Sequence, residues 1–115
     1  MKANNPSKTA RFQERQSYII FYRKEVLKHY EISFSQFLKK PEKTRLFFAL
    51  KVLPATAKVV SIAFKIPIEN QCRRKRELQA ENRLKVSYRD VQCKYTGHYA
   101  RLLTCDKELF QTVLF

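Results

Sequence analysis

The sequence predicts a mostly helical α+β fold that ends in a β-hairpin. Up to Asn82, apolar residues recur at helical spacings and helix-boundary residues separate the segments. Beyond Asn82 the period changes to two, first across residues 84–88 and again across residues 99–104. Gly97, the only glycine of the chain, lies between these two runs, where a turn needs a positive φ. With 115 residues and no break in composition, one domain with one core is expected.

The N-terminal part is predicted to contain a mobile basic arm and a long helix. Residues 1–11 have no apolar period and include Lys2 and Lys8. Residues 12–30 have the spacing of an amphipathic helix, with apolar positions at Phe12, Tyr18, Ile19, Tyr22, Val26 and Tyr30. This helix either completes the core of the domain or forms the interface of a homodimer.

A second long helix is predicted after a short turn. Residues 32–38 place three apolar side chains on one side of that turn. Residues 41–53 form the helix, with Pro41 at its first position, where a missing N–H costs nothing. Pro54 ends it, because proline cannot continue a helix.

Two shorter helices follow. Thr56 is predicted to cap a helix at residues 57–65, because its hydroxyl can accept an unpaired backbone N–H of the first turn. Another helix runs from Pro67 to Asn82. Asparagine tolerates the left-handed conformation that is common just past a helix C-terminus.

Positive charge is the strongest compositional signal. Lys and Arg number 24 against 10 Asp and Glu, which gives a formal net charge of +14. A chain this basic is expected to bind a polyanion, although phosphate attraction alone does not separate DNA, RNA and anionic lipid. The longest apolar runs are too short to span a bilayer, so no membrane partner is expected.

The cysteines and histidines give no sign of a metal site or a catalytic centre. The three cysteines form no CxxC pair, which indicates reduced thiols and a cytoplasmic location. Cys93, His98 and Cys105 lack the paired spacing of zinc ligands, so no metal is predicted, and Cys72 is predicted to be a small buried hydrophobe. There is no glycine-rich phosphate loop, nucleophile elbow or carboxylate cluster, so neither a cofactor nor enzymatic activity is expected.

The most informative motif spans residues 60–76. Large, small, large and aliphatic residues occupy the positions that a helix-turn-helix needs around its turn: Val60, Ser61, Phe64 and Ile66. The helix after the turn carries four consecutive basic residues, 73–76. Together with the hairpin, this order resembles the winged helix-turn-helix proteins of bacterial and phage transcriptional regulators over residues 41–105, with an extra N-terminal helix.

The sequence departs from that family at three positions. Lys65 stands where the turn often has glycine, and Gln71 and Lys75 stand near positions where the family usually buries aliphatic side chains. A small rotation of the helix would place Ile68, Cys72 and Leu78 against the core instead.

The resemblance implies sequence-specific binding to double-stranded DNA by a small transcriptional regulator or DNA-maintenance factor at the nucleoid. The recognition helix, residues 67–82, would enter the major groove, and the hairpin, residues 84–104, would be the wing. The expected base contacts are Asn70, Gln71, Arg73 and Arg74. The expected backbone contacts are Lys58, Arg76, Arg89, Lys94 and Arg101, with His98 near the wing tip and a flexible arm from Lys2 and Lys8.

Residues 106–115 are predicted to form a C-terminal tail beyond a domain of residues 12–105. Gln111, Leu114 and Phe115 match the anchor positions of the short peptide with which many bacterial proteins dock on the sliding clamp. A hydrophobic tail that folds back on the domain, or onto a second subunit, explains the same residues equally well.

Two other classes of function fit the same composition. An RNA-binding protein of a ribosomal or other ribonucleoprotein complex would use Tyr88, Tyr95 and Tyr99 to stack on unpaired bases. A phage-type inhibitor would use its basic face to block a nucleic-acid site on another protein. Preference for duplex DNA over RNA separates the first two classes, and tight protein binding without nucleic-acid affinity indicates the third.

Overall fold

The computed structural model describes residues 7–112 and 114–115, which form five helices and a small antiparallel sheet. The helices are α1 (Ser7–Tyr30), α2 (Phe34–Leu38), α3 (Glu42–Val52), α4 (Ala57–Phe64) and α5 (Ile68–Ala80). The strands are β1 (Ala55–Thr56), β2 (Lys85–Gln92) and β3 (Tyr99–Thr104), and a 3₁₀ turn follows at Lys107–Leu109. The predicted mostly helical α+β fold with a C-terminal hairpin is therefore confirmed.

Most helix boundaries agree with the prediction to within two residues, and α1 is the exception. It begins at Ser7, so residues 7–11 of the predicted arm are helical. Residues 1–6, including Lys2, lie outside the described residues, as does the side chain of Lys8. At the other end of the helical region, Asn82 lies just past α5 with a φ of 59°, as predicted.

Helix α2 occupies a segment that the sequence predicts as a short turn. Strand β1 is not predicted at all. It lies between α3 and α4 and pairs with β3, with Ala55 opposite Leu103, so the sheet order is β1-β3-β2. Thr56 belongs to this strand, and its Oγ1 lies 3.0 Å from the Sγ of Cys93 in a buried hydrogen bond. Thr56 is the N-cap residue of α4, as predicted, but its hydroxyl makes no capping hydrogen bond, so that part of the prediction is wrong. A strand of two residues has no period that a pattern could reveal.

The hairpin of β2 and β3 has the predicted turn. Gln92 lies opposite Tyr99, and Gly97 between them has a φ of 78°. The register shifts between Val86 and Asp90, which marks a bulge in β2. The positive φ predicted for Gly97 is confirmed.

The core lies between α1, α3, α4 and α5, with the sheet closing one end. Its largest fully buried side chains include Tyr22, Phe37, Leu46, Leu50, Phe64, Ile66 and Leu78. The buried tyrosine hydroxyl of α1 keeps a partner, because Tyr22 donates to the carbonyl of Leu53 at 2.9 Å. Helix α1 thus contributes to the core of this domain. None of the helices among residues 7–112 and 114–115 is both long and apolar enough to cross a membrane.

Candidate nucleic-acid interface

The connection between α4 and α5 is a tight helix-turn-helix. Lys65 takes the left-handed conformation (φ 53°), and its N–H donates to the carbonyl of Ser61. The N–H of Ile66 donates to the same carbonyl at 3.1 Å, and the Ser61 hydroxyl donates to the Ile66 carbonyl at 2.6 Å. Val60, Phe64 and Ile66 are buried. Three of the four residues that predict this turn therefore pack in the core, and the fourth, Ser61, bonds across the turn.

Two arginines support this turn from other helices. Arg45 of α3 donates through Nη1 to the carbonyl of Phe64 at 2.8 Å, and Arg23 of α1 donates through Nε to the carbonyl of Ala63 at 3.0 Å. These carbonyls belong to the last turn of α4 and have no acceptor role within the helix. The sequence does not reveal either contact, because Arg45 and Arg23 lie 19 and 40 positions from the carbonyls that they bind.

Helix α5 turns one side to the core and the opposite side to solvent. Gln71 and Leu78, two turns apart, are buried against the domain. The exposed positions, which we call the outer face of α5, are Ile68, Glu69, Cys72, Arg73, Arg76, Gln79 and Ala80. The prediction that Ile68 and Cys72 pack against the core is therefore wrong, and Leu78 alone of the predicted three is buried.

The structure divides the predicted base contacts. Gln71 is only 1 % exposed, so it could contact a base, as predicted, only by leaving the core. Its side-chain amide has no hydrogen-bond partner among the described residues. Arg73 lies on the outer face of α5 and forms no ion pair with any described residue.

Asn70 and Arg74 flank the buried side of α5 and are already engaged. The Nδ2 of Asn70 donates to Oε2 of Glu42 on α3 at 3.1 Å. The Nη1 of Arg74 lies 3.5 Å from Oε2 of Glu77 one turn later. The Nε of Arg74 is buried and has no hydrogen-bond partner among the described residues. Both side chains would have to leave their carboxylates to reach a base.

The acidic end of α5 is neutralised by basic side chains. The Nζ of Lys43 lies 2.6 Å from Oε2 of Glu81, and the Nη1 of Arg83 lies 3.0 Å from its Oε1. Hydrogen bonds from Lys43 and Arg83 hold the pKa of the Glu81 carboxyl below its usual value. Lys43 also lies 3.9 Å from Glu77. The outer face of α5, with Arg73 and Arg76 against Glu69, is left with a net positive charge.

The predicted backbone contacts fall into two groups. Four are exposed and form no ion pair with any residue in the described part of the chain: Lys58, Arg76, Arg89 and Lys94. Arg101 differs, because its Nε lies 3.0 Å from Oδ1 of Asp90 and its Nη1 donates to the carbonyl of Ser87 at 3.0 Å. A phosphate at Arg101 would have to compete with that carboxylate.

The hairpin exposes two aromatic side chains. Tyr88 is 73 % exposed and Tyr99 is 72 % exposed, whereas Tyr95 is partly buried against the core. His98 is exposed at the turn, beside Gly97. Tyr88 and Tyr99 are therefore the tyrosines of this hairpin that a base could contact by stacking.

The buried thiols do not suggest a reactive site. The Sγ of Cys93 shares a hydrogen bond with the Oγ1 of Thr56, and burial raises the pKa of Cys105 to about 12. Cys72 is exposed, so the prediction that it is buried is wrong. No three His, Cys, Asp or Glu side chains among the described residues lie together as metal ligands would.

The C-terminal tail lies against the hairpin. Phe115 is 4 % exposed, and the N–H of Tyr88 donates to the carbonyl of Leu114 at 3.1 Å. The Nζ of Lys85 donates to the carbonyl of Phe110 at 2.6 Å. Gln111 is exposed, but a clamp would have to pull Phe115 out of the domain. Of the two interpretations of the tail, this geometry fits the one that folds it back.

No protein-family model, curated protein or solved structure matches the chain.

Proposed function

We propose that the protein binds double-stranded DNA through the outer face of α5, with the hairpin as a wing on the adjacent backbone. The function is binding rather than catalysis, and the role is that of a small transcriptional regulator or DNA-maintenance factor at the nucleoid. The net charge of +14 supplies the attraction to phosphate that such a protein needs.

The pairing of Arg73 and Arg76 on the outer face of α5 is the observation that carries the proposal. Spaced by three residues, the two side chains lie on neighbouring positions of the helix surface. Neither forms an ion pair with a described residue, whereas Arg74 between them does. The helix that follows a helix-turn-helix turn thus presents its unpaired arginines on the side away from the core.

The proposed mechanism separates base contact from backbone contact. Arg73, nearer the N-terminus of α5, would donate two parallel hydrogen bonds to guanine in the major groove. Arg76 and Lys58 would bind phosphate, and Arg89 and Lys94 would bind the backbone next to the wing. Asn70 would need to leave Glu42 before it could contact adenine, so we assign base reading chiefly to Arg73.

The proposal is tested by measuring the affinity of the protein for duplex DNA, single-stranded DNA and structured RNA at a series of salt concentrations. We expect a preference for the duplex. Replacement of both Arg73 and Arg76 by Ala should lower the magnitude of the salt slope by about 0.9, since the phosphate contact of Arg76 is lost and each such contact contributes about 0.9. Lys39→Ala/Lys107→Ala, which removes two exposed charges outside α5 and the hairpin, is the matched control. Equal losses in the control and the double variant would contradict the assignment to α5.

Base reading has its own test once a preferred duplex has been selected from random sequences. Arg73→Lys keeps the charge but loses the planar fork, so we expect nonspecific affinity to remain and specific affinity to fall by roughly 5- to 150-fold, the equivalent of about 1–3 kcal/mol. A uniform loss on all sequences would show that Arg73 binds only phosphate.

RNA binding is the second candidate, and the exposure of Tyr88 and Tyr99 favours it. Stacking of bases on aromatic rings contributes about 1–3 kcal/mol per base. If RNA is the ligand, Tyr88→Leu and Tyr99→Leu should weaken its binding strongly, while the double arginine variant should affect it only through charge. A duplex preference that both tyrosine variants retain would exclude this candidate.

A further inference from the structure

The side of α1 that faces away from the core carries an exposed apolar pair. Ile20 is 53 % exposed and Phe21 is 49 % exposed, while Ile19, Tyr22 and Val26 on the other side are buried. Among residues 13–30, the part of α1 whose side chains the structure describes, the exposed positions are Gln13, Glu14, Ser17, Ile20, Phe21, Lys24, Glu25, Lys28 and His29, and we call them the outer face of α1.

The outer face of α1 is electrically neutral in a strongly basic chain. The charges of its two glutamates and two lysines cancel, whereas the whole chain has a formal net charge of +14. A second copy of this chain could approach this face without the repulsion that it would meet at the outer face of α5.

The charges on this face are also arranged for self-pairing. Glu14, Phe21 and Lys28 are seven residues apart and lie close to one line along the helix, because seven residues make nearly two turns. Glu14 lies about 10.5 Å before Phe21, and Lys28 lies about 10.5 Å after it. Two copies of α1 packed antiparallel about Phe21 would place each Glu14 opposite the Lys28 of the other copy.

We propose that the protein forms a symmetric dimer through the outer faces of two antiparallel α1 helices, with a two-fold axis at Phe21. The contact is isologous, so every favourable pair occurs twice. Phe21 and Ile20 of both copies fill its centre, and the Glu14–Lys28 pairs close its two ends. Because one helix face is small compared with standard interfaces, the dimer is weak and concentration-dependent.

Sedimentation equilibrium without nucleic acid tests this pairing independently of the proposed DNA binding. We expect reversible dimerisation of the wild type. Glu14→Lys alone and Lys28→Glu alone should each reduce the association constant by about tenfold, since each turns two attractions into two repulsions. The double variant Glu14→Lys/Lys28→Glu should restore it. Glu108→Lys and Lys39→Glu are exposed controls with the same charge changes.

Thiol cross-linking locates the axis by a second measurement. In a Cys72→Ser background, F21C should form an intermolecular disulfide under a mild oxidant, because the two copies of position 21 meet at the axis. K28C should not, because its two copies lie about 21 Å apart along the helices in this arrangement. A monomer at all concentrations, failure of the double charge variant to restore association, or equal cross-linking of K28C and F21C would each overturn the proposal.

Discussion

Replacing Gln71 with Met should stabilise the protein. The Gln71 amide is buried beside the core, and neither its oxygen nor its nitrogen has a hydrogen-bond partner among the described residues. An amide buried without hydrogen bonds costs about 1–3 kcal/mol in mutational data, and methionine fills a similar volume without polar hydrogens. We therefore expect Gln71→Met to raise the free energy of unfolding by about 1–3 kcal/mol.

The expected change in melting temperature follows from the size of the domain. At about 2.1 cal/mol/K per residue, the entropy of unfolding of this chain is about 0.24 kcal/mol/K, so each kcal/mol corresponds to about 4 °C. Thermal and urea unfolding should show a rise of about 4–12 °C for Gln71→Met. Gln79→Met, on the outer face of the same helix, is the control and should change stability by less than about 0.5 kcal/mol.

The same variant tests the assignment of Gln71 in DNA binding. If Gln71 is a core residue, Gln71→Met should leave affinity for a selected duplex nearly unchanged. If it paired with adenine, the loss would be about 1–3 kcal/mol, which is roughly a 5- to 150-fold weaker affinity. A less stable variant, or one that loses duplex affinity while remaining folded, would refute the reasoning.

Two pH-dependent predictions follow from shifted groups. Hydrogen bonds from Lys43 and Arg83 hold the pKa of Glu81 in the folded state below its ordinary value of 4.5. The ionised Glu81 therefore stabilises the fold fully above pH 4.5, and this stabilisation is lost as the pH falls through the lower pKa of the folded state. Urea titrations should show a gap between wild type and Glu81→Gln near neutral pH that closes in acid; a gap independent of pH would contradict this. Burial raises the pKa of Tyr30 from 10.0 to about 12. The neutral phenol therefore stabilises the fold fully below pH 10, and this stabilisation is lost as the pH rises towards 12. In Tyr30→Phe, the last step of phenolate absorbance in the pH titration should disappear. The free energy of unfolding should fall by about 0.5–1.5 kcal/mol, because the 2.8 Å hydrogen bond to the Phe48 carbonyl is also removed. Complete titration of the wild-type tyrosines near pH 10 would contradict this prediction.

Local chemistry explains which parts of the fold the sequence predicts. Asn82 and Gly97 have the positive φ expected of them, because each residue type relieves a backbone constraint within its own turn. The apolar positions around Lys65 are correct for the same reason, since they lie within one turn of each other. Lys65 itself takes the left-handed conformation without being glycine, at a position that Arg45 supports from a distant helix.

Long-range contacts explain what the sequence does not predict. The sequence places Ile68, Cys72 and Leu78 on the side of α5 that faces the core, but in the structure Gln71 and Leu78 occupy that side. The observed rotation brings Asn70 against Glu42, a contact between helices that no spacing within α5 encodes. The candidate interface therefore keeps Arg73 of the predicted base contacts, while the remaining three are buried or engaged.

Strand β1 has a consequence for the order in which the domain folds. Ala55 pairs with Leu103, 48 positions later, and the N–H of Cys105 donates to the carbonyl of Leu50 at 3.1 Å. The contacts around the α4–α5 turn are local and can form early, but these pairings close a long loop and are slow to form. During synthesis, α3 and β1 emerge well before β3 exists, so the middle of the domain keeps an open strand edge until residues near 105 arrive. The last strand of the wing is then also the piece that completes the helical core.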